Sequence, residues 1–237
     1  MVIAIGGKWL VVADVDGTLL GDEDAWSGLT AVLAANPHVA MVPNSSRPLA
    51  SLHRSWQELD GSFRFPAQVG ALGTEVSIGD EDVGWSDRFR RFDRNPVDRA
   101  MASMGYETNG EEFQTPLKAS FAVPSEQWER AAAALERDLL VEIVTSGTSD
   151  FDVIPEEAGK AAPIAYLADQ FAISFDRVVA VGDSMNDLTM LVAAPHRIVV
   201  ANAEPALIRL TRGSAFHSTR THARGVAEGL RALGLLT

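Results

Sequence analysis

Four short runs of apolar, largely β-branched residues, at 8–13 (KWLVVA), 38–43 (HVAMVP), 178–181 (VVAV) and 197–200 (RIVV), are each followed by a stretch with helical spacing, at 24–36, 49–59, 186–193 and 204–210. A run without polar alternation suits a strand buried on both faces, and strands alternating with helices build a mostly parallel sheet covered on both sides. Further helical patterns at 160–171 and 223–235, with a short strand candidate at 67–69, complete a doubly wound α/β layout.

The pattern breaks between residues 79 and 155. There an acidic turn at 80–82, an Arg-rich stretch, a strand candidate at 117–123, a helix at 126–139 and strands at 141–146 and 151–154 follow one another. This predicts an α+β domain, residues 79–155, inserted into a sheet domain made of residues 1–78 and 156–237. A chain of 237 residues has room for one domain carrying a second. Its 46% hydrophobic and 22% charged residues are those of a globular protein.

The formal charge of −12 repels nucleic-acid phosphates and anionic membranes, so neither is an expected partner. The absence of cysteine excludes a disulfide framework, a thiolate zinc site and a cysteine nucleophile. The opening MVIAIGG has no basic region before its apolar residues, and no run of about 18 apolar residues follows. The expected location is therefore the cytoplasm, and the expected state a monomer or weak dimer.

Chemistry concentrates at two strand ends. In VVADVDGTLL, residues 11–20, a buried strand runs straight into Asp14, Asp16, Gly17 and Thr18. Ligands of open α/β sheets bind at the carboxyl ends of strands, and a spacing of two lets both side chains start on one face. Two close carboxylates repel unless a cation joins them, and Mg²⁺ takes hard oxygen ligands while keeping room for water and phosphate. In VVAVGDSMNDLTML, residues 178–191, a second strand is followed by Asp183 and Asp187, with Asn186 beside them. Four residues apart on a helix, both acids share a face; alternatively Asp183 is an ordinary N-cap. Up to four carboxylates around one crevice raise one another's pKa and destabilise the fold unless a divalent cation compensates them.

These residues resemble the haloacid dehalogenase superfamily of phosphotransferases, whose motifs are a strand-end Asp-x-Asp, a Ser or Thr after the second strand, a Lys, and Gly-Asp-x-x-x-Asp. Here they stand in that order as Asp14 and Asp16, Ser45 in VPNSSRP, Lys160 in PEEAGKAAP, and Asp183 and Asp187 in VGDSMND. GDEDAW, GTEV, LKASF and DVIP extend the likeness to the sucrose-phosphate phosphatase branch, over nearly the whole chain. Two positions depart from the pattern: Ser46 stands where Gly is usual before Arg47, and Ala161 follows Lys160 where Gly is common. With adjacent serines, Ser45 rather than Ser46 is chosen by spacing alone.

The resemblance implies a Rossmann-like core with a large α/β cap, and hydrolysis of a sugar phosphate, sucrose 6-phosphate or a related glycosyl phosphate, as the small-molecule partner. It implies that Asp14 is the nucleophile of an aspartyl-phosphate intermediate and Asp16 the general acid and base. Mg²⁺ would be held by Asp14, the Asp16 carbonyl and Asp183, with Asp187 and Asn186 directly or through water. Lys160 would balance charge, Ser45 and N–H groups near Gly17 would bind phosphoryl oxygens, and Ser46 and Arg47 belong to the same substrate-binding loop. Lys118, Ser120 and Glu75 are the expected sugar contacts.

Competing readings are a phosphosugar mutase on the same scaffold, a phospho-accepting receiver module, and a catalytically silent binding protein with this fold. The Arg cluster at 88–99 reads as a solvated amphipathic face, the five histidines as structural or surface residues, and the tryptophans as packing. Gly6-Gly7-Lys8 precedes a strand and lacks the phosphate-loop pattern.

Overall fold

The computed structural model describes residues 9–59, 63–136 and 139–237; Lys8 and the Gly6-Gly7-Lys8 triplet lie outside them. Strand β1 (Trp9–Ala13), helix α1 (Glu23–Ala35), β2 (Val39–Pro43), α2 (Leu49–Glu58) and β3 (Ala67–Gly70) alternate, and β4 (Glu75–Ile78) and β5 (Glu81–Asp82) then fold back on β3. Next come α3 (Arg94–Ser103), β6 (Glu107–Thr108), β7 (Ala119–Ala122), α4 (Trp128–Glu136), β8 (Val141–Ser146) and β9 (Asp150–Pro155). The chain returns through α5 (Ala162–Gln170), β10 (Val178–Gly182), α6 (Leu188–Ala193), β11 (His196–Val199), α7 (Pro205–Thr211), β12 (Phe216–His217) and α8 (His222–Ala232).

The central sheet runs β12-β11-β10-β1-β2, all parallel, and β3 continues its edge through a parallel bridge between Asn44 and Val69. The chain thus moves outward from β1 to β3, then crosses over and moves outward from β10 to β12. The direction of winding reverses between β1 and β10, and in such a sheet a ligand crevice opens beyond the carboxyl ends of the strands at this point. Adjacent β1 residues serve opposite layers: Leu10 and Val12 pack with α5 residues such as Leu167, whereas Val11 and Ala13 pack with α1 and α8 residues such as Leu29 and Val226. All these side chains are buried, which is why the strands carry no polar alternation.

A four-stranded antiparallel sheet, β6-β7-β9-β8, packs against α3 and α4 through a core of its own that includes Met101, Phe121, Leu135 and Phe151. Here the structure departs from the sequence pattern in several ways. The strand expected from residue 117 starts at Ala119, because Thr115 and Lys118 close a tight backbone turn ahead of it. The Arg-rich stretch contains α3, which Asp93 caps by accepting from the Asn95 N–H. Nor is that stretch simply solvated: the Arg88 guanidinium lies 3.8 Å over the Trp85 ring, and Arg94 donates to Asp98, Gln114 and the carbonyls of Thr115 and Lys118. The acidic turn extends β4 as an antiparallel neighbour, and Trp85 and Phe89 then pack into the core on the α5 side. Among the described residues no helix is long and apolar enough to cross a membrane.

Candidate active site

At the tip of β1 the backbone remains paired beyond the last strand residue, with Asp14 N–H donating to the Val181 carbonyl and Asn44 N–H to the Ala13 carbonyl. This holds Asp14 between β10 and β2, with only 5% of the residue exposed. The chain then turns sharply, Leu19 and Leu20 both donating to the Val15 carbonyl, and Gly17 adopts φ +86°. A Cβ at Gly17 would meet the Asp183 carboxylate, with Oδ2 at 2.4 Å, and φ +86° strains any side chain there, so glycine suits this turn.

Lys160 enters from the loop after β9. Its Gly159 N–H donates to the Leu72 carbonyl, and a Cβ at Gly73 would lie 2.2 Å from the Gly159 carbonyl oxygen, so this contact too depends on a missing side chain. The predicted helix from Lys160 begins at Ala162, with Pro163 in its first turn, where a missing N–H costs nothing. Left in the loop, Lys160 is buried, and its Nζ donates at 2.6 Å to both Asp14 Oδ1 and Asp187 Oδ1.

Asp187 is fully buried at the turn after β10, where its Oδ2 accepts from the N–H groups of Asp183 and Ser184. Asp183 is half-buried and accepts from the Thr18 hydroxyl at 2.8 Å. Carboxylate oxygens of Asp14, Asp183 and Asp187 all lie within 4.8 Å of one another. Burial pushes the Asp14 carboxyl well above its ordinary range, and the charge of Asp187 adds to this while Lys160 opposes it. Asp183 is raised for the same two reasons, burial first and Asp187 second. The Lys160 ammonium is held charged, its two acids outweighing the cost of burial. One ammonium against three acids leaves excess negative charge in a cluster of hard oxygen donors, and that chemistry fits a divalent cation such as Mg²⁺.

Asp16 goes elsewhere. Its exposed carboxylate is gripped by Arg47, with Nε 2.8 Å from Oδ2 and Nη2 donating to Oδ1 at 2.9 Å. Ser45 is buried and its Oγ accepts from the Arg47 N–H, while Ser46 is half-buried in the same loop. Asn186 accepts from the Ser184 hydroxyl. Glu75 accepts from the Leu49 N–H at 2.8 Å, capping α2 where Pro48 offers no side-chain acceptor. Lys118 and Ser120 gather around Asp152 on the β7-β9 sheet: the Lys118 ammonium lies buried 3.1 Å from Asp152 and donates to the Phe113 carbonyl, and Asn109 donates to Ser120. Among the described residues neither bonds to the strand-end acids. Burial raises the Asp152 carboxyl despite Lys118 beside it.

Two residues that hold the cluster together were not singled out in the sequence. Buried Asn44 donates to the Lys160 carbonyl at 2.8 Å, and Asn202 donates to the Gly17 carbonyl at 2.7 Å. Asn44 directly precedes Ser45, which was its one local signal; Asn202 had none.

Two clefts open near the start of α2, and Arg47 lines the first of them. One, of about 480 Å³, includes Asp16, Leu20, Glu23, Ser55 and Glu58. The other, of about 410 Å³, runs from Leu49 and Glu75 to residues 115–117 of the inserted segment.

Residues 8–234 match the family model described as sucrose-6F-phosphate phosphohydrolase. The chain is 30% identical over 247 residues to mannosylfructose-phosphate phosphatase of Agrobacterium fabrum, covering 95% of this chain and 97% of that one. It is 26% identical to sucrose-phosphatase 2 of Nicotiana tabacum, over 94% of this chain and 58% of the tobacco enzyme. In fold it is similar to the sucrose-phosphatase of Synechocystis solved with sucrose and phosphate, with a TM-score of 0.87 at 19% identity over 96% of this chain and 98% of that one. The strand-end acids, the buried lysine between them and these matches place the chain in the sucrose-6F-phosphate phosphohydrolase family of haloacid dehalogenase-like hydrolases, as a phosphoric monoester hydrolase.

Proposed function

We propose that the chain hydrolyses a glycosyl phosphate, sucrose 6-phosphate or a close relative such as mannosylfructose phosphate, with Mg²⁺ bound and through an aspartyl-phosphate. The observation that carries this reading is the Lys160 bridge between Asp14 and Asp187 with Asp183 alongside, at the open strand ends. The names of the relatives support the substrate class.

Asp14 Oδ2, the oxygen not bonded to Lys160, attacks phosphorus; the bond to the sugar oxygen breaks as the acyl phosphate forms. Asp16, once released from Arg47 as that guanidinium turns to the phosphate, gives its proton to the departing sugar oxygen, then takes one from the water that cleaves the acyl phosphate and restores Asp14. Lys160 keeps the Asp14 carboxylate oriented and offsets charge on the transferring group. Ser45 keeps its hydroxyl proton for a phosphoryl oxygen, and Arg47, with N–H groups around Gly17, offers further donors to the phosphate. Mg²⁺, held by Asp14, Asp183 and the Asp16 carbonyl with Asp187 and Asn186 behind them, would neutralise phosphate charge. Residues 79–155 act as the cap that excludes water and chooses the sugar. The reading places the enzyme in the cytoplasm as a monomer or weak dimer.

The test is free phosphate release from sucrose 6-phosphate, mannosylfructose phosphate, hexose 6-phosphates, phosphoglycolate and p-nitrophenyl phosphate, with Mg²⁺ and with chelator. Metal-dependent release that favours a disaccharide phosphate is the expected result. An isomerised sugar phosphate without free phosphate, or release indifferent to metal, refutes it.

A further inference from the structure

The loop after β11, residues 200–204, reaches both acid-bearing loops. On the β10 side, Val200 N–H donates to the Gly182 carbonyl, Glu204 N–H donates to the Asp183 carbonyl at 2.7 Å, and the Glu204 carboxylate accepts from Met185 N–H. On the β1 side one side chain makes the contact, Asn202 Nδ2 donating to the Gly17 carbonyl at 2.7 Å. The other end of the same amide is also used: Asn202 Oδ1 accepts from the N–H of His222, the first residue of α8, at 2.9 Å. An acceptor on one side and a donor on the other leave the amide a single orientation, since the flipped one would set oxygen against oxygen and N–H against N–H.

The anchor of that amide is itself fixed. His222 takes φ +49°, a left-handed conformation that residues with a Cβ rarely adopt and that persists where the surroundings over-determine it. Its ring stands against Gly21, where a Cβ would collide with it, and Ala201 N–H ties the loop to the Arg220 carbonyl just before α8. Asn202 is exposed, so water readily replaces its bonds and they add little to global stability. What they supply is orientation. Gly17 has no side chain to fix its own peptide, and Asn202 holds the peptide that joins it to Thr18. Thr18 is fully buried and gives its hydroxyl to Asp183 at 2.8 Å, while Asp16 directly precedes Gly17.

We propose that Asn202 is a positioning residue for the metal site: acting through the Gly17–Thr18 turn, it fixes Asp183 and the Asp16 carbonyl for a divalent cation. The inference rests on the Mg²⁺ reading above. A side chain that only capped α8 would affect melting and leave Mg²⁺ affinity untouched.

The experiment compares wild type, Asn202→Ala, Thr18→Val and the double variant. The Kd for Mg²⁺ is read from the rise of melting temperature over a Mg²⁺ series, and melts in chelator confirm folding. Loss of one hydrogen bond predicts a Kd raised about three- to tenfold in Asn202→Ala. Because Thr18 lies on the same path, the double variant is expected to raise Kd by less than the product of the two single factors. With the phosphate ester that the wild type turns over best, the loss in Asn202→Ala falls on the activation constant for Mg²⁺, and excess Mg²⁺ restores kcat to within about twofold of wild type. An unchanged Kd in Asn202→Ala, whose exposed side chain does not put the fold in question, overturns the proposal, as do a double variant at the full product and a kcat loss that Mg²⁺ does not restore. If the wild type binds no Mg²⁺ and releases no phosphate, the Mg²⁺ reading fails instead. Hydrogen exchange in chelator then decides whether Asn202 holds the turn: the Leu19 and Leu20 amides, both bonded to the Val15 carbonyl, exchange faster in Asn202→Ala if it does, and unchanged exchange overturns it.

Discussion

Replacing Lys160 by Met keeps a long unbranched stem and removes the ammonium that touches Asp14 and Asp187 at 2.6 Å each. A charge pair with centres about 4 Å apart is worth about 4 kcal/mol at an effective dielectric constant of about 20. Two such attractions are lost, against which stands the relief of no longer burying an ammonium. Breaking a buried ion pair by removing one partner costs about 3–5 kcal/mol, and Lys160→Met belongs in that range because Asp187 is fully buried and cannot turn to water. For a chain of 237 residues, with about 2–4 °C per kcal/mol, this means a melting temperature lower by about 6–20 °C in chelator. The loss has a defined pH dependence. Asp14 is raised already by burial and by Asp187, with Lys160 pulling it down, so removing Lys160 raises it further. An acid whose folded pKa lies above its unfolded value contributes most when protonated, and that contribution falls as pH climbs from the ordinary 3.8 through the folded value. The deficit of the variant is therefore at least as large at pH 7.5 as at pH 5. Lys160 is itself raised above 10.5, so in wild type its pairing contributes fully below pH 10.5 and fades only as pH rises beyond it. Urea denaturation of both proteins at the two pH values, in chelator, measures the difference. A variant within about 1 kcal/mol of wild type at pH 7.5, or a deficit that is larger at pH 5 than at pH 7.5, would refute the electrostatic picture of the cluster.

Other outcomes follow from the same geometry. Asp14→Asn should lower phosphate release at least about 10³-fold while circular dichroism and melting stay close to wild type, since a buried acid gives way to a neutral group of its own shape. Adding Mg²⁺ at about 100 times its Kd should stabilise wild type by about 2.7 kcal/mol in a melt, and Asp183→Asn should weaken that response. Gly17→Ala, with its Cβ 2.4 Å from Asp183 Oδ2 at φ +86°, should cost about 1–3 kcal/mol in urea and weaken the Mg²⁺ response as Asp183 is displaced. Lys118→Met alone should destabilise by about 3–5 kcal/mol by stranding buried Asp152, whereas the double variant Lys118→Met/Asp152→Leu should recover most of it; additive losses in the double-mutant cycle would contradict the pairing.

The apolar runs of β1, β2, β10 and β11 were legible because burial on both faces leaves a local trace, an unbroken stretch of Val, Leu, Ile and Ala. β4 and α3 left weaker traces. β4 is four residues long with one face turned to the cleft, and α3 buries little beyond Val97 and Met101 while its arginines read as solvated. Residue 160 looked like a helix start because the Ala-rich stretch after it is helical, but the Gly159 contact with Leu72 and Pro163 in the first turn keep it in the loop.

The sequence alone determined that a doubly wound sheet would form and that acids would crowd two of its strand ends, since strand, turn and helix preferences act over a few residues. The tertiary structure decided which acids meet. Asp14, Asp183 and Asp187 converge, whereas Asp16, two residues from Asp14, turns outward to Arg47. Lysines are mostly solvated, and nothing near Lys160 or Lys118 in sequence marks them as buried. Their charges are compensated by partners 146 and 27 residues from Lys160, and by Asp152 across the antiparallel sheet from Lys118. A buried charge is tolerable only where an opposite charge is brought to it, and chain topology does that, not local sequence.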